Sequence, residues 1–92
     1  MTARLLQERQ QVILHAVVRE HIRTAKPVSS QELVRYLAGE TSAATIRSEM
    51  MELDGAGYLA QPHTSAGRVP TDKGYRYFVD YLLPDREVSH TE

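Results

Sequence analysis

The chain has 92 residues, which is enough for one small domain with a single modest core. Its apolar content of 41% and charged content of 25% are typical of globular proteins, and the absence of cysteine excludes a disulfide framework and a thiolate metal site. Because no segment resembles a signal peptide or a membrane span, we expect a reducing, cytoplasmic setting and no membrane partner.

The first predicted helix runs from Ala3 to about Thr24, a stretch without proline or glycine. Lys26 and Pro27 end it, because proline disfavours helix at the preceding residue. Its predicted apolar face consists of Leu6, Ile13 and Val17, widened by Leu14, Val18 and Ile22.

The second predicted helix starts with a capping box, in which Ser29 and Glu32 satisfy each other's free amides. It is short and ends near Gly39. Ser42 then caps a third helix, whose buried stripe is Ile46, Met50 and Leu53. Two helices joined by so short a turn predict a helix-turn-helix.

After this helix the pattern changes to two short strand candidates, residues 58–61 and 68–70, which predict a wing. Thr71 then caps a last helix, which Pro84 ends. Its predicted stripe is Tyr75, Phe78, Val79 and Leu82. We therefore expect a mainly α fold with a small β-hairpin (α+β), a winged helix-turn-helix over residues 1–83, and a polar tail over 84–92.

Catalysis is disfavoured by the absence of catalytic and cofactor motifs. No histidine pair has the helical spacing of a zinc site, and neither a nucleophile elbow nor a phosphate-binding glycine loop occurs. We expect no enzyme activity, no cofactor and no metal.

Duplex DNA is the predicted partner, although the net charge is only −1. Residues 60–76 carry three basic and one acidic side chain, and local positive charge is what a phosphate surface needs. Small and hydrogen-bonding side chains on the third helix suit a major groove. The predicted recognition residues there are Ala44, Thr45, Arg47 and Ser48.

The wing and its flank supply a second set of predicted DNA contacts, which are His63, Thr64, Ser65, Gly67, Arg68, Lys73 and Arg76. For Arg68 the alternative is a salt bridge within the domain, to Asp72 or Glu52. The acids Glu49, Glu52 and Asp54 lie toward the other end of the third helix, so its N-terminal half is predicted to insert. DNA binding also requires that Arg47 and Arg68 lie on the same side of the molecule.

The segment from Ser42 to Leu83, SAATIRSEMMELDGAGYLAQPHTSAGRVPTDKGYRYFVDYLL, resembles the N-terminal winged-helix domain of the heat-inducible transcription repressor (HrcA) family. LLQERQQVIL and KPVSSQEL also fit the start of that family. The resemblance implies a repressor of chaperone operons that binds an inverted-repeat operator as a homodimer, with an active form maintained by the chaperonin. By position, it also adds Ser42 to the predicted recognition residues.

This sequence departs from the family in several respects. Family members commonly have glycine at Ser29 and asparagine at Ser48, and the second change lies on the predicted reading face. They also continue into a large C-terminal region that supplies dimerisation. For a dimer surface within this chain, the sequence suggests Tyr77 and Tyr81, which lie off the main stripe of the last helix.

Two other functions remain open at this point. A winged helix also serves as a protein-interaction or dimerisation module without its own operator. Single-stranded or structured RNA would require exposed aromatic side chains for stacking.

Overall fold

A computed structural model describes residues 6–63 and 66–82. Within these ranges the chain forms, in order, α1 (Glu8–Thr24), α2 (Ser30–Tyr36), α3 (Ala43–Gly55), β1 (Leu59–Ala60), β2 (Val69–Pro70) and α4 (Asp72–Tyr77), which continues as a π-helical segment (Phe78–Leu82). The predicted fold class, mainly helical with a two-stranded hairpin and consistent with a winged helix, is confirmed. The predicted tail, residues 84–92, lies outside the described residues. Within the described part of the chain, no helix has the length and apolar character needed to cross a bilayer.

Side-chain caps fix where three of the helices begin. Ser29 Oγ accepts from the amide of Glu32 at 3.1 Å, and the Glu32 carboxylate accepts from the amide of Ser29 at 2.9 Å. Ser42 caps α3 in the same sense, and Thr71 caps α4, each at 3.1 Å. The three predicted caps are therefore confirmed.

Helix α1 starts at Glu8, later than predicted, and ends where Ala25 takes a left-handed conformation. The prediction for Ile22 is wrong, since this side chain is 62% exposed. Nine residues at about 100° each place it on the opposite side of the helix from Ile13. The buried face instead continues to Glu20, which pairs with Arg23.

The Glu20 carboxylate illustrates how a charge is tolerated on the inner face of α1. Its hydrogen bonds from the Arg23 guanidinium lower the pKa of Glu20 below its ordinary value, and partial desolvation opposes this shift. The same pairing raises the pKa of Arg23.

A single core joins the helices and the hairpin. Its largest fully buried side chains come from α1, α2, α3 and β1 and from the segment before α2, and they are Ile13, Leu14, Val17, Val18, Val28, Leu33, Ile46, Leu53 and Leu59. Met50 completes the predicted stripe of α3, with 3% exposure. This core holds α3 by one face and leaves the opposite face in solvent.

The last helix packs differently from its predicted stripe. Val79 is 53% exposed, whereas Tyr77 is buried with 6% exposure. Its hydroxyl accepts a hydrogen bond from the amide of Leu6 at 3.0 Å, and its ring meets that of Tyr58 edge-on. A π turn is wider than an α turn, so the 3.6-residue period fails here. Because Tyr77 is buried, it is not a dimer surface, and that suggestion was wrong; Tyr81 is 48% exposed.

The wing is a short antiparallel hairpin in which Leu59 pairs with Pro70. Arg68, the residue before its second strand, is also paired with the segment before α2. The backbones of Val28 and Arg68 exchange two hydrogen bonds of 2.9 Å each. Gly67 lies against this segment, where an added Cβ would sit 3.0 Å from the backbone of Pro27. The hairpin base and the start of the helix-turn-helix therefore form one packed unit.

Candidate nucleic-acid interface

The outer face of α3 carries the predicted recognition residues. Ala44, Arg47 and Ser48 are exposed, and Thr45 is partly buried. The exposed Ser42 caps the helix and also donates its hydroxyl hydrogen to Thr45 Oγ1 at 3.0 Å. Ser42 and Thr45 lie at the positive end of the helix dipole, and Arg47 and Ser48 lie further along the same helix.

Arg47 and Arg68 line the same cleft, of about 430 Å³, between the start of α2, the outer side of α3 and the base of the wing. The two arginines therefore lie on the same side of the molecule, as DNA binding requires. Within the described part of the chain, Arg47 forms no ion pair, so its guanidinium is available to a ligand. The exposed Arg47 side chain thus places a positive charge at the middle of the outer face of α3.

Arg68 is held inside the fold. Its Nε donates to Asp54 Oδ2 at 2.9 Å, and the side chain is only 16% exposed. A salt bridge was one of the two predicted roles, but the partner is Asp54 rather than Asp72 or Glu52. Gly67 is buried beside it. Both residues hold the wing against α3 and α2, and their contacts with DNA remain predictions.

Lys73 lies away from this cleft. Its ammonium donates to the carbonyl of Ala56 at 2.9 Å and lies 4.6 Å from the centre of the Tyr58 ring. It thus satisfies a free carbonyl at the end of α3 and makes a cation–π contact. The structure does not bring Lys73 together with Arg47, and a DNA contact would require it to leave these partners.

The remaining predicted wing and flank residues are less constrained. His63, at the start of the hairpin tip, and Arg76, on α4, are both exposed. Thr64 and Ser65 lie outside the described residues. The roles of these four residues as DNA contacts stay predictions.

The acidic residues of α3 are directed toward partners in the fold. Glu49 lies 3.9 Å from Arg9, and its Oε1 is buried without a hydrogen-bond partner among the described residues. Glu52 accepts a hydrogen bond of 2.9 Å from Gln10 on α1. Asp54 holds Arg68. The two arginine pairings reduce the repulsion that Glu49 and Asp54 would exert on a polyanion.

The cleft also contains residues that were not predicted to contact DNA, namely Ser30, Gln31, Met51, Gln61 and Ala66. A sequence signal existed for Met51, because it follows Ala44 by seven positions and therefore shares its face of the helix. Gln31 and Gln61 come from other elements, and only the fold brings them to α3.

The chain is similar to curated proteins named heat-inducible transcription repressor HrcA. The relative from Pelotomaculum thermopropionicum is 48% identical over 87 residues, which are 95% of this chain and 25% of the relative. The one from Beutenbergia cavernae is 57% identical over 75 residues, 82% of this chain and 21% of the relative. The chain thus spans about a quarter of the length of these relatives, whose name describes a regulator rather than an enzyme.

A solved structure supports the same fold. The crystal structure of a hypothetical protein at 2.2 Å resolution has a TM-score of 0.76 and 52% identity, and the match covers 79% of this chain and 24% of that chain. No family model matches the chain.

Proposed function

We propose that this chain, which belongs to the heat-inducible transcription repressor (HrcA) family and spans about a quarter of the length of these relatives, is a double-stranded DNA-binding domain with no enzymatic activity. Helix α3 enters the major groove, and the wing lies beside it on the phosphate backbone. Repression then follows from occupying a promoter-overlapping operator.

The observation that carries this proposal is the position of Arg47. It projects from the middle of the outer face of α3, has no ion-pair partner within the described residues, and shares its cleft with the base of the wing. Arginine suits both guanine, through a bidentate contact, and phosphate. The neighbouring small and polar side chains, Ala44 and Ser48, allow the helix backbone to approach the bases.

The operator that we propose is an inverted repeat bound by two copies of the chain. In such a complex the two recognition helices enter grooves about 34–36 Å apart, or a multiple of that distance. The inverted repeat, the homodimer and a dependence on the chaperonin follow from the family resemblance, and they are parts of the proposal.

The test is a duplex selected from a random library by binding to the 92-residue chain, followed by affinity measurements over a range of salt concentrations. Each phosphate neutralised should contribute about −0.9 to the slope of log affinity against log salt. Arg47→Ala should weaken binding about 5- to 150-fold if it reads a base, or reduce the salt slope by about one unit if it binds phosphate.

Arg19→Ala is the matched control, because Arg19 is an exposed arginine on α1 outside the cleft. It should bind the duplex with nearly the affinity of the parent chain. Binding that is flat in salt and insensitive to Arg47→Ala would refute the DNA-binding proposal.

A second candidate, a protein-interaction or dimerisation module, is favoured by a different cleft. Exposed Val12 and Tyr36 line it with Leu82, and its volume is about 330 Å³. Sedimentation of the chain with and without duplexes carrying one or two half-sites separates the two functions. Self-association that is independent of the duplex would favour the module.

A further inference from the structure

Met51 is an apolar side chain in an unusual place. It is 58% exposed although it lies on α3, between the buried Met50 and Leu53. Counting along α3, Ala44, Arg47, Ser48 and Met51 stand at positions i, i+3, i+4 and i+7, and all four are exposed. Since such positions share one face of a helix, Met51 extends the reading face by one turn toward the C-terminus.

The charges around Met51 are compatible with the binding of a DNA duplex. It lines the cleft that Arg47 and Arg68 also line. The acid one turn further along the same face, Asp54, is paired with Arg68 at 2.9 Å. Its charge is therefore compensated at the point where Met51 would meet DNA.

We propose that Met51 is a specificity-determining residue that contacts the 5-methyl group of a thymine in the major groove; this inference rests on the proposed function. Thymine is the base that displays a methyl group there, and apolar side chains recognise it by contact. The thioether is flexible and polarizable, so it adapts to a small apolar partner. The contact also removes from water a side chain that the free protein leaves exposed.

The helical rise between Ala44 and Met51 limits how far this thymine lies from the base pair nearest Ala44. Seven residues rise about 10 Å along a helix, and successive base pairs are about 3.4 Å apart. Because a recognition helix is inclined to the duplex axis, the base pair read by Met51 lies at most about three base pairs from the one nearest Ala44. A preference for thymine at one end of the half-site is the expected signature.

The test replaces each thymine of the library-selected duplex, one at a time, by uracil, which removes only the methyl group. We expect one position per half-site at which the affinity of the parent chain falls about fourfold, the equivalent of one buried CH₂ group. For Met51→Ala the same replacement should have no effect, because the partner of the methyl is gone. Met51→Leu should retain part of the uracil penalty.

Val79→Ala is the matched control, since it shortens another exposed apolar side chain outside the cleft. It should keep the full uracil penalty. If the penalty at every thymine is the same in the parent chain, Met51→Ala and Met51→Leu, the inference is wrong, while salt-dependent binding would leave the proposed function standing. If the parent chain binds no duplex, both fail. Because Met51 is exposed, its variants should melt within a few degrees of the parent, which thermal unfolding checks.

Discussion

At Gly74, α4 lies against the backbone of Tyr58, the residue before β1, and replacement of this glycine by alanine should destabilise the fold. A Cβ at this position would lie 2.2 Å from the carbonyl oxygen of Tyr58, whereas ordinary van der Waals contact begins at 3.4 Å. The two backbones would have to separate by about 1.2 Å, the difference between these distances. The oxygen in question also accepts a hydrogen bond of 3.1 Å from the amide of Thr71, the cap of α4.

The size of the effect follows from three opposing contributions. Overpacking costs about 1–3 kcal/mol, and weakening the bond to the Thr71 amide costs about 1 kcal/mol more. Replacing glycine by alanine inside a helix returns up to about 1 kcal/mol. We therefore expect Gly74→Ala to lower the free energy of unfolding by about 2 kcal/mol. For a domain of this size that corresponds to a fall in Tm of about 8–16 °C.

Urea and thermal unfolding followed by circular dichroism measure this change, and Gly55→Ala is the matched control. Gly55 is also helical, but nothing lies within 4 Å of its added Cβ. Its replacement should leave stability unchanged or raise it by up to about 1 kcal/mol. A Gly74→Ala variant as stable as the parent, or a Gly55→Ala variant as unstable as Gly74→Ala, would refute the steric reasoning.

Two further predictions concern ion pairs. The pKa of Glu20 is lowered in the folded state, so its contribution to stability is present above about pH 4.5 and is lost as the pH falls below that value. In urea unfolding between pH 6 and 3, the free energy of unfolding of Glu20→Gln should therefore fall less steeply with decreasing pH than that of the parent chain. An unchanged pH dependence would contradict the pairing. For the wing, Arg68→Ala and Asp54→Ala should each destabilise the fold, and their double mutant should lose less than the sum, with a coupling of about 1 kcal/mol. Additive losses in that cycle would show that the pair contributes nothing to stability.

The features of this fold that the sequence predicted well are the ones that depend on residues close together in the chain. The caps Ser29, Ser42 and Thr71 and the stripe of α3 depend on spacings of three or four residues, which the chain displays directly. The errors at Ile22 and Val79 had different causes: Ile22 was assigned to the wrong side of a regular helix, whereas Val79 lies where the helical period changes. Val79 was predicted to lie on the buried stripe, but the last helix widens into a π turn there, and no local sequence pattern indicates that turn.

For the candidate interface, the exposed residues of α3 could be predicted from its buried stripe, since a helix with one buried stripe exposes the opposite side. The partners of the charged residues could not be read in this way. Arg68 and Asp54 are 14 residues apart, and Lys73 and Ala56 are 17 residues apart. Whether a cation near the wing faces solvent or another part of the chain depends on how the hairpin folds back, which only the assembled structure decides.

The paired backbones of Val28 and Arg68 have a consequence for the thermodynamics of recognition. Immobilising one flexible backbone residue costs about 1–2 kcal/mol in conformational entropy. In this chain the base of the hairpin is already immobilised by its hydrogen bonds to the segment that leads into α2. Folding itself, rather than the arrival of a ligand, bears that entropic penalty at Arg68. A partner that touches both the hairpin and α3 therefore does not have to immobilise this residue. Its binding free energy is more favourable, by about 1–2 kcal/mol, than it would be for a hairpin with a flexible base.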